Sequence, residues 1–234
     1  MSGIEETIKA LQMEFERHRD PSAAEAMEGY MRGQFPFFGI KAPLRRELMK
    51  AFLAEHSPSK ELIWLLWNLP EREYAALAVD LLFKIRKQLE PADIALVERC
   101  IVTKSWWDTV DGIASSVVGY LFDRFPELRD EYAERWIRSD NFWLNRTAIL
   151  FQLRYKEKTD ERRLYDYVRR HAGSSEFFLQ KAIGWALREY AKTSPASVVR
   201  FVGAHEWKPL SRREALKNID ESALAEQAEQ ETSR

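Results

Sequence analysis

The sequence predicts an all-α protein, and three observations support this. Glycine and proline are scarce, at nine each in 234 residues, whereas a fold rich in tight β-turns needs more of both. Apolar residues recur at helical spacing, as in Ile4, Ile8, Leu11 and Phe15. Several prolines stand where the first turn of a helix would begin. Together these features predict about a dozen short helices joined by loops of ordinary length.

The predicted helix boundaries follow from these prolines and from small polar residues. Breaks are expected at Pro21, Pro58, Pro70, Pro91, Pro126, Pro195 and Pro209. Three polar segments are expected to cap the helices that follow them: Ser139-Asp140, Gly173-Ser174-Ser175 and Thr193-Ser194.

The helices also repeat along the chain. The segment 142–149, Phe-Trp-Leu-Asn-Arg-Thr-Ala-Ile, resembles segment 177–183, Phe-Phe-Leu-Gln-Lys-Ala-Ile, at an offset of 34 to 35 positions. An offset of this size is typical of helix-pair repeats, which bury their apolar faces against their neighbours. We therefore predict a curved solenoid of antiparallel helix pairs with a groove on its concave side.

This pattern suggests a single helical-repeat domain over residues 1–220. Within it, residues 1–57 fit the repeat poorly and are expected to be capping helices, while 58–220 form the helix pairs. Residues 221–234 are polar and are expected to be a disordered tail.

Composition excludes several classes of protein. The formal net charge is -1, with 36 basic and 37 acidic residues. The chain therefore lacks the overall basic charge that is typical of nucleic-acid-binding proteins, although a local basic face is still allowed. Cys100 is the single cysteine, and the four histidines lack ligand spacing, so we expect no metal site and no cofactor. The acidic N-terminus lacks a signal peptide, and no apolar run has membrane-spanning length, which predicts a cytoplasmic protein.

The most informative segment is Lys104-Ser-Trp-Trp-Asp-Thr-Val-Asp111. On a helix, Trp107 and Asp111 are four residues apart and share a face. An aromatic wall beside a carboxylate suits a site that stabilises positive charge, through the ring quadrupole and through Coulomb attraction. Later segments add Trp143, Arg146 and Trp185 to this aromatic and ionic set.

Taken without further information, each of these residues has an ordinary structural interpretation. Large aromatic residues such as Trp107 and Trp185 are more often core than catalytic. Asp111 could be a solvated or capping residue, and Arg146 a surface ion-pair partner. Asp108 is assigned to a cap or salt bridge. Trp64, Trp67, Trp106 and Trp136 are assigned to the core, and Trp143 is left open between core and groove.

Several long motifs resemble one known family. They are the segment 104–111, the segment 139–153 (Ser-Asp-Asn-Phe-Trp-Leu-Asn-Arg-Thr-Ala-Ile-Leu-Phe-Gln-Leu), and the segment 177–192, which contains Trp185. Segments 30–40, 69–74 and 209–215 extend the likeness over about residues 5 to 219. Together they resemble the AlkD-type alkylpurine DNA glycosylases.

The resemblance implies a solenoid of HEAT-like repeats. It also implies an enzyme of base excision repair that hydrolyses the N-glycosidic bond of cationic alkylated purines, such as N3-methyladenine and N7-methylguanine, in duplex DNA. It further implies that Asp111 is the catalytic carboxylate, that Trp107, Trp185 and Tyr30 line the lesion site, and that Arg146 contacts DNA. A water-mediated route needs no lysine nucleophile, so a monofunctional enzyme acting as a monomer on DNA is expected.

The remaining DNA affinity is expected to come from phosphate contacts. Candidate cations, several of them near repeat junctions, are Lys41, Arg45, Arg46, Lys104, Lys156, Lys158, Lys181, Arg188, Arg212 and Arg213. Two other functions stay open: a non-catalytic helical-repeat scaffold that binds a protein, and a DNA-structure-binding protein without catalysis.

Overall fold

A computed structural model describes residues 3–217 and 219, and these residues form fourteen α-helices and no strand. The predicted all-α class is therefore confirmed. The predicted tail at 221–234 lies outside the described residues. No helix in the described part of the chain is both long and apolar enough to cross a lipid bilayer.

The chain divides into two compact units between Leu96 and Val97. This division is not the predicted boundary at residues 57 and 58, and the single repeat domain stays a prediction. The helices of the first unit are α1 (Gly3–Arg17), α2 (Pro21–Tyr30), α3 (Ala42–Glu55), α4 (Lys60–Asn68) and α5 (Arg72–Ile85). Short 3-10 turns follow at Arg86–Gln88 and Pro91–Asp93, and α6 (Ile94–Val102) crosses the division.

The second unit continues with α7 (Trp107–Gly112), a π-helical segment (Ile113–Val118) and α8 (Gly119–Arg124), which follow one another without a loop. The later helices are α9 (Pro126–Ile137), α10 (Phe142–Leu150), α11 (Glu161–Arg170), α12 (Phe177–Ala191), α13 (Pro195–Gly203) and α14 (Pro209–Leu216). A 3-10 turn at Lys156–Lys158 precedes α11.

Helices of the second unit pack as two layers of successive pairs. One layer contains α7, α10, α12 and α14, each in contact with the next, and the other contains α9, α11 and α13. Hydrogen bonds link equivalent positions of neighbouring pairs: Tyr155 Oη donates to the Gly119 carbonyl 36 positions away, and Arg170 reaches Glu134 across 36 positions. This spacing confirms the predicted helix-pair repeat.

Burial confirms part of the predicted tryptophan core. Trp67 and Trp136 are fully buried, and Trp143 is 7% exposed, which places it in the core. Trp64 and Trp106 are only half-buried, so their assignment to the core was wrong in degree. Trp64 lies on α4, whose buried residues are Leu62, Ile63, Leu66 and Trp67.

The capping prediction for α10 and α12 was displaced by two residues. The side chains of Asn141 and Glu176 cap these helices by accepting the N–H of Trp143 and Phe178. The predicted residues Ser139 and Ser174 lie two residues earlier in the same corners, where their hydroxyls accept the N–H of the capping residues. Serine forms such a turn as readily as a helix cap, which explains the displacement. At α13, Ser194 occupies the cap position, but its side chain makes no hydrogen bond that caps the helix.

A buried carboxylate organises the loop after Tyr30 in the first unit. Glu73 is 2% exposed, and its carboxylate accepts N–H bonds from Phe38, Gly39 and Ile40 at 2.9 to 3.1 Å. Beside it, the guanidinium of Arg72 lies 3.9 Å from the centre of the Phe35 ring. The motifs at 30–40 and 69–74 therefore form one structural unit.

Gly39 is required for that loop, and we expect Gly39→Ala to destabilise the protein by about 3 kcal/mol. Its φ is +90°, and a Cβ there would lie 2.2 Å from the carbonyl oxygen of Asp20. The measurement is urea unfolding. Gly29→Ala on α2 is the matched control because no atom lies within 4 Å of its added Cβ, so that change should be neutral or stabilising. Equal unfolding midpoints for the two variants would contradict the interpretation.

Candidate active site

The segment before α7 turns sharply and fixes how that helix begins. Lys104 has a φ of +48°, and the Ser105 hydroxyl donates to the Ile101 carbonyl at 2.6 Å. Trp106 then occupies the N-cap position in an extended conformation. Thr109 and Val110 are buried, so they anchor one face of α7 to the core.

The opposite face of α7 carries the predicted site. Trp107 and Asp111 lie on the same helix at the predicted spacing of four residues, and both are half-buried. The helix changes to π-helical geometry directly after Gly112, and the Ser115 hydroxyl donates to the Asp111 carbonyl at 2.9 Å. Short π-helical segments are frequent at functional sites.

Asp111 forms a bidentate ion pair with Arg146. The Nε of Arg146 donates to Oδ1 at 2.7 Å, and its Nη2 donates to Oδ2 at 2.8 Å. The Arg146 side chain is 5% exposed, whereas that of Asp111 keeps 15%. Two parallel charge-assisted bonds fix the plane of the carboxylate, while the exposed fraction leaves it open to solvent on one side.

Neighbouring residues hold Arg146 in turn. Its Nη1 donates to the Phe178 carbonyl at the start of α12. Asn145, 3% exposed, donates from Nδ2 to the carbonyls of Trp136 and Ser139, each at 2.8 Å, and so fixes the corner between α9 and α10. All three guanidinium nitrogens are therefore bonded to protein atoms, and the predicted contact of Arg146 with DNA stays a prediction.

A cluster of aromatic side chains lies on the Arg146 side of the ion pair. The ring of Phe178 lies 5.1 Å from that of Trp106 and 4.9 Å from that of Trp143. The Arg146 guanidinium lies 6.0 Å from the centre of the Phe178 ring. Such apolar walls strengthen the electrostatic interactions of the pair because they exclude water.

Burial raises the pKa of the Asp111 carboxyl above that of an ordinary aspartate. The hydrogen bonds and positive charge of Arg146 oppose this rise, and the nearby charge of Asp108 adds to it. The carboxylate is thus a poorly solvated anion with one strong partner. Its two bonds to Arg146 use one lone pair on each oxygen, and the remaining lone pairs can accept a bond from water.

Trp185 lies on α12 between two cations. Lys181, Trp185 and Arg188 are spaced by four and three residues and therefore share one face. All three are half-buried. Glu214 on α14 pairs with both cations, at 3.1 Å from Lys181 and 2.7 Å from Arg188.

The other predicted residues occupy varied positions. Tyr30 ends α2 in the first unit and is 71% exposed. Arg45 pairs with Asp80 at 3.5 Å, and Lys158 pairs with Asp123 at 3.3 Å. Lys104 is half-buried, and the exposed predicted cations are Lys41, Arg46, Lys156, Lys158, Arg212 and Arg213. Their roles in DNA binding stay predictions.

Comparison with known proteins decides the family. A model of the family described as DNA alkylation repair enzyme matches residues 11–219. The chain belongs to this family. A solved structure titled predicted DNA alkylation repair enzyme, from Enterococcus faecalis, is similar to it with a TM-score of 0.80 and 32% identity. The match covers 87% of this chain and 98% of that chain. No curated protein matches.

Membership of the DNA alkylation repair family confirms the predicted resemblance, and the structural match confirms the fold. Sequence reasoning missed Asn145, Phe178 and Glu214, which position the site residues. The repeat offset could have indicated the Asp111–Arg146 pair, because the two residues are 35 positions apart and so occupy equivalent places in adjacent repeats.

Proposed function

We propose that this DNA alkylation repair enzyme is a monofunctional glycosylase that hydrolyses the N-glycosidic bond of cationic alkylated purines in duplex DNA. N3-methyladenine and N7-methylguanine are the proposed lesions, and the proposed enzyme acts as a cytoplasmic monomer. The observation that carries the proposal is the Asp111 carboxylate, fixed by Arg146 and still partly exposed. Trp107, one turn before it, supplies an aromatic face beside this anion.

The substrate sets what the site must do. An N-alkylated purine is already positively charged, so it leaves without prior protonation. When its bond to C1′ breaks, the electron pair goes to the base, which becomes neutral, and the positive charge moves to the deoxyribose. Water then adds to C1′ and releases a proton. The enzyme therefore needs a fixed anion near the sugar and a place for the water.

Asp111 suits both tasks. Its charge attracts the oxocarbenium-like sugar more strongly than the ground state, so the interaction lowers the barrier to bond cleavage. Because Arg146 already fixes its orientation, no reorganisation is needed as the charge develops. The lone pairs not used by Arg146 can hold the attacking water. No lysine nucleophile is needed for this route, so strand cleavage is not expected.

Trp107 and Trp185 are proposed to present electron-rich faces to the cationic sugar or base. We expect Trp185→Ala to slow base release by about two- to thirty-fold, because a cation–π contact contributes about 0.5 to 2 kcal/mol. Trp185→Phe keeps an aromatic face and should lose less. Single-turnover release of N7-methylguanine measures the effect. The control is Trp64→Ala, a half-buried tryptophan of α4; equal rates for Trp64→Ala and Trp185→Ala would contradict the assignment.

The proposed function is tested by incubating the protein with methylated duplex DNA and separating the released bases by chromatography. Free N3-methyladenine or N7-methylguanine with intact strands supports the proposal. Salt-sensitive DNA binding without released base would instead indicate a DNA-structure-binding protein. Neither binding nor release would favour a scaffold that binds a protein partner.

A further inference from the structure

We propose that Glu214 restrains the affinity of the α12 cations for undamaged DNA by holding Lys181 and Arg188 in the unbound protein. This inference rests on the proposed function, because it takes the DNA backbone as the partner of this face of α12. It assigns to α14 a role in setting how tightly the enzyme holds DNA that carries no lesion.

The Glu214 carboxylate bridges two cations of α12, Lys181 and Arg188. One carboxylate oxygen lies 3.1 Å from the Lys181 Nζ, and the other lies 2.7 Å from the Arg188 Nη1. The two cations are seven residues apart, which is about 10 Å along a helix. The Glu214 side chain is only 14% exposed, whereas Lys181 keeps 39% and Arg188 keeps 26%.

Close packing of α14 on α12 places Glu214 midway between these cations. A Cβ added to Gly184 would lie 2.3 Å from the Glu214 Cβ and 3.0 Å from the Ser211 carbonyl oxygen. Ser211, 1% exposed, also donates its hydroxyl to the Gln180 carbonyl at 3.2 Å. The carboxylate is therefore built into the helix contact and does not depend on a flexible surface side chain.

One edge of the Arg188 guanidinium is available to a ligand. Its Nη1 is the atom that donates to the carboxylate and carbonyl of Glu214, and its Nε and Nη2 have no hydrogen-bond partner within residues 3–217 and 219. That edge, with two parallel N–H groups, is the one through which arginine binds phosphate or carboxylate in a bidentate manner. Arg146 uses the same edge to hold Asp111.

A phosphate can thus approach Arg188 while Glu214 stays in place, but it meets a reduced charge. The pair of cations carries a charge of two, and the carboxylate lowers this to one. Because phosphate neutralisation dominates non-specific binding, Glu214 weakens the hold on intact DNA. A glycosylase that must leave undamaged sites gains turnover from this weakening.

The experiment compares Glu214→Gln with Glu127→Gln, which changes the net charge equally at an exposed position in the first turn of α9. Affinity for an undamaged duplex is measured over a range of salt concentrations, and thermal melting checks that both variants fold. For Glu214→Gln we expect about three- to five-fold tighter binding at low salt. The log–log salt dependence should steepen by about one. Glu127→Gln should match the wild type.

Two further measurements sharpen the result. Arg188→Gln should flatten the salt dependence by about 0.9, and Glu214→Gln should gain less affinity in that background. Base release by Glu214→Gln should also be inhibited more strongly by excess undamaged DNA than release by the wild type.

The outcomes separate this inference from the proposed function. If Glu214→Gln binds undamaged DNA no more tightly than the wild type, and the wild type releases base, only the proposed role of Glu214 is overturned. A wild-type protein that neither binds DNA nor releases base overturns both.

Discussion

Asp111→Asn is expected to slow the release of N7-methylguanine from methylated duplex DNA by about two or more powers of ten. Asparagine has nearly the same shape as aspartate, so the site keeps its volume while it loses the negative charge. The attraction to the developing positive charge on the sugar is lost, and the water loses its strongest acceptor. Single-turnover kinetics with excess enzyme measure this effect on the chemical step.

The same change is expected to cost stability. The buried guanidinium of Arg146 would lose its counter-charge, and breaking such a pair by removing one partner costs about 3 to 5 kcal/mol. The exposed fraction of Asp111 places the expected loss near the lower end of this range. Urea unfolding gives the loss and defines conditions in which the variant is fully folded.

Asp108→Asn is the matched control for this change. Asp108 lies in the first turn of the same helix and is half-buried, but it is not assigned to the site. Its removal should leave the rate at neutral pH within a few-fold of the wild type. A comparable loss in Asp108→Asn and Asp111→Asn would mean that the whole helix, and not one carboxylate, determines the rate.

Arg146→Gln is expected to have the second-largest effect, and it acts on both stability and pH dependence. Glutamine cannot supply two parallel donors or a positive charge, so the buried carboxylate loses most of what offsets its burial. We expect a loss of about 3 to 5 kcal/mol in the free energy of unfolding at neutral pH. Urea unfolding at several pH values measures it.

The sign of the pH effect follows from the pKa of Asp111. In the wild type, burial raises that pKa and Arg146 opposes the rise, so the pKa should rise further in Arg146→Gln. Because the proposed mechanism uses the ionised form of Asp111, the rate should begin to fall at a higher pH in the variant. A folded-state pKa above the unfolded value favours folding below the unfolded pKa, and this benefit is lost as pH rises through the folded pKa. The stability gap between the wild type and Arg146→Gln should therefore narrow on acidification. An acid limb that moves to lower pH would exclude this role for Arg146.

Local sequence patterns predicted the elements of the site well. Helical spacing placed Trp107 and Asp111 on one face, and the offset between segments 142–149 and 177–183 indicated stacked helix pairs. Both signals depend on neighbours within one helix or on regular repetition, which a sequence displays directly. The same applies to prolines such as Pro126 and Pro209, which begin helices as expected.

Contacts between elements were harder to predict. The contact of Arg146 with DNA stays a prediction, and its ion pair with Asp111 was not predicted. The pair forms because α7 and α10 place equivalent repeat positions side by side. The repeat offset of 34 to 35 positions does not predict the contacts of Glu214. Its partners Lys181 and Arg188 lie 33 and 26 positions earlier in the chain. They are set by the way α14 packs on α12 at Gly184. A corner residue such as Asn145 shows its role only once the backbone carbonyls that it bonds are in place.

The most direct test of the central claim uses the double variant Asp111→Asn/Arg146→Gln. Each single variant leaves one buried charge without its partner, and the double variant has neither charge. The double variant should therefore recover part of the stability that either single variant loses. Its single-turnover release of N7-methylguanine should stay as slow as in Asp111→Asn. The rates are compared at equal concentrations of fully folded variant and wild-type protein. Release restored towards the wild-type rate would show that the charge on Asp111 maintains the fold and does not act on the glycosidic bond.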